Sequence, residues 1–139
     1  MAEGRRIMWD DEDKVLYDYL RQSSGPFKGM SLIDLFAIAL TYGKEEGVRT
    51  KLGKGTIGRI RESTIANSNV KYLMMAIAVE EEQSIDVLLN EDDYFTIAEE
   101  YAKTGVKFLH SEFKDYGKTM LDNMALDLIE FIEENIEES

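Results

Sequence analysis

Apolar residues recur at three- and four-residue spacing along most of this chain, and glycine, not proline, interrupts them. That period fits an α-helix with one buried face and conflicts with the alternation of a half-buried strand. The clearest case is LIDLFAIALTYG (32–43). Leu32, Leu35, Phe36, Ala39 and Leu40 line one face, and Ile33, Ala37 and Ile38 widen it, so the segment reads as the central helix. Ser31, with Asp34 three residues later, resembles a capping box, and Gly43 is the expected stop. Asp10 or Asp11 opens an earlier helix carrying Val15, Leu16, Tyr19 and Leu20, which ends in QSSGPFKG around Pro26, the single proline. After residue 58 the pattern resumes through VKYLMMAIAVEEE, where the Met and Ala content favours helix. A short IDVLL turn capped by Ser84 follows, then EDDYFTIAEEYAKTG with Gly105 as its expected end, then VKFLHSEF. A last long amphipathic helix is expected after Gly117, with Met120, Leu121, Met124, Leu128, Ile132 and Ile136 facing inward. The expected fold is all-α, a compact bundle of five to seven helices with no strand pair, in a single domain over residues 1–139. Its core should gather Leu35, Phe36, Leu40, Leu73, Ile77, Ile97, Leu121 and Leu128.

A chain of 139 residues can bury roughly two thirds of its unfolded surface, enough to fold without a disulfide or a metal staple. It has no cysteine, so disulfide and thiolate chemistry are excluded. The first residues turn acidic where a signal peptide needs an apolar stretch, and the longest apolar run, YLMMAIAV, is far short of a membrane span. These features read as a cytoplasmic protein with no membrane association. The net charge is −12, and it is segregated. Residues 79–101 and 120–139 hold acids and no base, whereas 44–61 hold Lys44, Arg49, Lys51, Lys54, Arg59 and Arg61 against Glu45 and Glu46. An acidic protein repels nucleic acid at long range, so any contact with DNA would have to use that local patch.

The patch contains Gly53, Gly55 and Gly58 at the spacing of a dinucleotide-binding turn. Such a turn needs a buried strand before it and a helix after it. GVRTK, preceded by helix, supplies no such strand. A phosphate-binding P-loop fails as well, because Gly47 stands one residue too far from Gly53–Lys54 and Gly55 occupies the Ser/Thr position. Residues 44–58 are therefore read as a flexible, basic, Gly-rich loop.

Other chemistry has little to work with. His110 stands alone, with Lys at 107, so the Glu-x-x-His pairs of a di-iron bundle are missing. The runs 80–82 and 91–93 lack the skeleton of a calcium loop and read as solvated acids. His110 and Ser111 are adjacent, and adjacent side chains diverge on a helix. The methionines read as core filling, and Trp9 as a hydrophobic staple in preference to an exposed anchor. No catalytic, cofactor-binding or metal-ligating residue is expected. The candidate contacts are the six bases Lys44, Arg49, Lys51, Lys54, Arg59 and Arg61, facing phosphates.

Two stretches, DLFAIALTYGKEEGVRTKL (34–52) and IDVLLNEDDYFTIAEEYAKTGVKFL (85–109), together resemble a small prokaryotic family whose genes sit beside DNA-phosphorothioation (Dnd) and similar defence systems. The matching positions are Asp34, Phe36, Ala39, Gly43, Gly47, Arg49 and Leu52, then Leu88, Ile97, Ala98, Glu99, Glu100, Tyr101, Ala102, Gly105 and Leu109. The resemblance implies a defence-associated accessory protein, and a fold without an assigned reaction. The leading expectation is a non-enzymatic accessory protein that binds a protein partner or forms a homo-oligomer. The alternative is a nucleic-acid-binding module; six phosphate contacts would give a salt slope near −5, from roughly −0.9 per contact. A small hydrolase built on a carboxylate pair, whose separation only the tertiary fold can set, is the third reading.

Overall fold

Two helices meet backbone to backbone at the centre of the molecule. The computed structural model describes residues 4–22, 25, 27–116, 129, 130, 132 and 133. In chain order the elements are β1 (Ile7–Trp9), α1 (Asp11–Arg21), α2 (Leu32–Glu46), β2 (Ile57–Ile60), α3 (Glu62–Ala66), α4 (Val70–Glu82), a 3-10 helix (Ile85–Leu89) and α5 (Glu91–Tyr116). Helices α2 and α5 touch at Gly43 and Gly105. A Cβ on Gly43 would lie 1.7 Å from the Tyr101 carbonyl oxygen, and one on Gly105 would lie 1.6 Å from that of Ala39. Neither glycine therefore ends a helix, contrary to the sequence expectation. Both let two backbones approach more closely than any side chain allows. The true stop of α2 is Gly47, left-handed at φ 71°, whose N–H reaches the carbonyls of Gly43 and Lys44. Helix α5 continues unbroken through Gly105.

The all-α expectation is corrected in one respect. The protein is mostly helical, but β1 and β2 form a two-stranded antiparallel ribbon, pairing Ile7 with Ile60, Met8 with Gly58 and Trp9 with Ile57 around an irregularity between Ile7 and Met8. Strands of three and four residues are too short for alternation to stand out in sequence. The ribbon is stable here because its inner face is buried in the helices through Ile7, Trp9 and Ile60. Trp9 is neither an exposed anchor nor a staple onto the first turn of α1. It stacks on Tyr17 at 4.0 Å and lies 6.4 Å from Phe36.

Leu35, Phe36, Leu40, Ile77 and Ile97 are buried in one cluster, as expected, while Leu73 is half-buried and Met74 takes the inner position. Leu121 and Leu128, with most of the expected last helix, fall outside the described residues, and Ile132, expected to face inward, is exposed. Ser31 caps α2, its hydroxyl accepting from the Asp34 N–H at 3.3 Å. Helices α4 and α5 run parallel, since Lys71 pairs with Glu91 at one end and Tyr101 donates to Glu81 at the other. Gln83 turns the chain out of α4 at φ 54°, the positive-φ non-glycine residue among those described. Its side-chain amide donates to the Glu80 carbonyl at 2.6 Å, which offsets part of a conformational cost of roughly 1–2 kcal/mol.

Candidate functional site

The acidic run at the start of α1 looks in sequence like a helix opening, and Asp10 does hold the N-cap position, but its side chain makes no cap hydrogen bond. The carboxylate turns inward to Lys103 on α5. Lys103 Nζ donates to Asp10 at 2.9 Å, Glu12 at 2.7 Å and Asp13 at 2.8 Å. Lys103, Asp10 and Asp13 are buried, whereas Glu12 is exposed. Burial works against the charge on Lys103, but hydrogen bonds to Asp13, Glu12 and Asp10 outweigh it and hold the ammonium well above the usual lysine range. Burial pushes the Asp13 carboxyl up. Asp10 is also opposed by burial, yet hydrogen bonds from Thr56, the Gly53 N–H and Lys103 bring it below the usual range.

The three carboxylates offer oxygens within 4.8 Å of one another, a spacing that can hold a metal ion. Here the lysine ammonium takes the cation's position, so the charge the acids need is supplied by the chain itself. The same cluster gives the glycine loop a partner within the chain. The Gly53 N–H donates to Asp10 at 2.7 Å, and the Thr56 hydroxyl donates to the same carboxylate. Backbone and hydroxyl donors at a Gly-rich turn suit an anion, and in this protein the anion is Asp10. The loop is pinned and not flexible. Thr50 donates to the Glu100 carbonyl at 3.1 Å and shares a hydroxyl hydrogen bond with Thr104 at 2.7 Å. Residues 44–46 belong to α2 and residues 57 and 58 to β2.

The six sequence-predicted bases divide evenly. Arg49 Nη2 pairs with Glu100 at 2.7 Å and Nη1 with Glu81 at 3.3 Å; Lys44 approaches Glu80 at 3.5 Å and lies over the Tyr101 ring. Arg59 holds Asp11 at 2.9 Å and the Trp9 carbonyl at 3.1 Å. Lys51, Lys54 and Arg61 are exposed and form no ion pair among the described residues. Lys51 and Lys54 border an open pocket of about 430 Å³ that Asp10, Glu12 and Lys103 also line. Arg61 lies apart, beside Gly4 and Arg6. A second pair, with Glu99 buried and Arg5 half-buried, ties the N-terminal segment to α5: Arg5 grips Glu99 with two hydrogen bonds of 2.8 Å, and Glu99 also accepts from the Met8 N–H. His110 packs edge-on to Tyr19.

Sequence reading missed Lys103 and Glu99. A faint signal existed: Glu99 and Lys103 are four apart within the apolar register of Tyr94, Phe95, Ala98, Tyr101 and Ala102, where a helix has its buried side. What the sequence could not show was that the partners lie some ninety residues upstream.

A profile of the family described as DNA sulphur modification system-associated protein 4 matches residues 6–139. The chain belongs to this family. No curated protein and no solved structure matches it. Membership extends the resemblance seen in residues 34–52 and 85–109 to nearly the whole chain, and places the protein in association with DNA sulphur-modification systems. No helix among the described residues is long and apolar enough to cross a membrane.

Proposed function

We propose that this family member is a non-enzymatic accessory protein that works by contact with another component of its DNA sulphur-modification system. The observation that carries this reading is the state of Lys103. A catalytic lysine needs a lowered pKa and access to substrate. Lys103 has the reverse, a raised pKa and a buried ammonium held by three carboxylates. Asp13, the acid raised by burial, is fully enclosed and so unable to reach a substrate as a general acid. Among the described residues, this cluster holds α1, the 50–56 loop and α5 together. The test is co-expression with the other components of the same system, followed by size-exclusion chromatography. A stable complex with one of them is expected; a monomer that co-elutes with none would remove the support.

DNA contact is a second reading, favoured by the exposed Lys51, Lys54 and Arg61. With Lys44, Arg49 and Arg59 engaged by carboxylates, three phosphate contacts replace six, and the salt slope should be near −2.7, from roughly −0.9 per contact. Replacing Lys51 and Lys54 by Gln should then weaken duplex DNA binding while leaving a protein complex intact. Absence of DNA binding at low salt would end this reading.

A further inference from the structure

The accessory reading leaves open which surface meets the partner, and the two most exposed large hydrophobic residues among those described share one short element. The 3-10 helix Ile85–Leu89 contributes no buried residue. Ile85 is 72% exposed and Leu89 88% exposed. Two large aliphatics this open on one five-residue element, about a third of a turn apart around its axis, are candidates for burial by something else. The same 3-10 helix contributes Asp86 and Val87, though not Ile85 or Leu89, to the lining of an open cleft of about 710 Å³ that Ile97, Glu82, Asp92 and Asp93 also border, with Arg49 as the one base. Arg49 is already committed to Glu81 and Glu100. Asp92 pairs with Arg5, but Glu82, Asp86 and Asp93 form no ion pair among the described residues.

We propose that the face formed by this 3-10 helix and the start of α5 docks a cationic, amphipathic segment of a protein partner, its aliphatic side chains on Ile85 and Leu89 and its Lys or Arg side chains on Glu82, Asp86 and Asp93. Charge selects the occupant. A second copy of this chain would bring a net charge of −12 against the same acids, and its exposed bases Lys51, Lys54 and Arg61 stand in a glycine loop and after a strand, not on an amphipathic segment. Residues 120–139 of the chain itself carry seven acids and no base, so they are an equally poor match. Like charges brought together at an interface are penalised, while opposite ones steer the encounter and fix its register. The proposal rests on the accessory reading and names the chemistry of its partner.

The first probe is a synthetic Lys/Leu amphipathic peptide of about four helical turns, titrated into the full chain by fluorescence anisotropy at low salt, with the Glu/Leu version of that peptide as control. The Lys/Leu peptide should bind and the Glu/Leu peptide should not. Ile85→Ser with Leu89→Ser should weaken binding at least roughly tenfold, the loss of two buried aliphatic contacts. Asp86→Asn with Asp93→Asn should weaken it roughly threefold and flatten its salt dependence. All four side chains are exposed, so the variants should keep the wild-type melting temperature, which is checked first. Equal binding by wild type and variants, or by both peptides, overturns the proposal. So does a dimer in sedimentation that Ile85→Ser and Leu89→Ser disperse, which would assign the face to self-association. The same variants are then co-expressed with the other system components. A component retained by both variants refutes this surface and leaves the accessory reading standing, whereas a wild-type chain that captures no component fails both.

Discussion

Replacing Lys103 by Met should be among the most damaging single changes outside the apolar core. The substitution keeps the length and apolar stem of the side chain and removes the ammonium that Asp10, Glu12 and Asp13 share at 2.7–2.9 Å. Asp10 and Asp13 are buried and would be left as uncompensated charges. Breaking a buried pair in this way typically costs about 3–5 kcal/mol. For a domain of this size that corresponds to a fall in melting temperature of roughly 10–20 °C. An internal control is the Lys14–Asp18 pair, more than half exposed at both ends, where Lys14→Met should cost about 0.5 kcal/mol or less. Urea unfolding followed by the fluorescence of Trp9, the single tryptophan, reads both variants. The pH dependence has a definite sign. In the wild type Asp10 is held below its usual range, so its contribution is present above the ordinary carboxylate pKa and lost as pH falls through the folded value. Asp13 is already raised by burial in the wild type, so its ionisation opposes folding, and without Lys103 it moves further up while Asp10 loses one of the hydrogen bonds that lower it. Both changes raise the cost of the ionised carboxyls in the variant. The gap between wild type and Lys103→Met should therefore narrow between pH 7 and pH 4. A loss below about 1 kcal/mol, or a gap that does not change with pH, would refute the argument that the cage stabilises the fold.

Gly43→Ala should cost roughly 3 kcal/mol or more, because the new Cβ meets the Tyr101 carbonyl in a helix backbone that cannot swing aside; Gly47→Ala, left-handed but facing open space, should cost about 1–2 kcal/mol by the same urea assay. Phe36→Ala, at the centre of the cluster, should lose about 3–5 kcal/mol, and a loss below about 1 kcal/mol would unseat α2 as the central helix. Tyr101 is pushed up to about 12 by burial and by its hydrogen bond to Glu81. Its phenol should titrate that high by ultraviolet absorbance and fall back in Glu81→Gln. Since the folded value lies above the ordinary one, this group's contribution is complete below about pH 10 and is lost between there and pH 12.

Long periodic segments announced themselves in the sequence. The face of α2, the Ser31 cap and the acidic start of α5 follow from spacing and composition, which are local properties. The errors share a cause. Gly43 and Gly105 read as stops because a glycine at a helix end and one at a helix crossing are identical in sequence; only the neighbouring backbone tells them apart. The loop read as flexible because the groups that pin it, the Asp10 carboxylate and the Glu100 backbone carbonyl, lie far from it in the chain. Lys103 passed unnoticed for the same reason: a lone lysine on a helix is ordinary until three distant carboxylates converge on it. The bases of 44–61 were visible as a group, but their division into engaged and exposed members is a tertiary fact.

Synthesis order gives the Lys103 cage a further consequence. Asp10 is separated from Gly53 by 43 residues and from Lys103 by 93. At the usual rate of chain growth, roughly 5–20 residues per second, the ammonium emerges about 5–19 s after the carboxylates it will join. Until then Asp10 and Asp13 remain in water, Ile7 and Trp9 have no strand to pair with until residue 60 is made, and α2 has no α5 to cross. The N-terminal segment therefore waits, charged and solvated, while the elements that will enclose it are produced. The cage cannot close until residue 103 has been made and the 93-residue separation from Asp10 has been drawn shut, and only then can Lys103 fasten the N-terminal segment to α5.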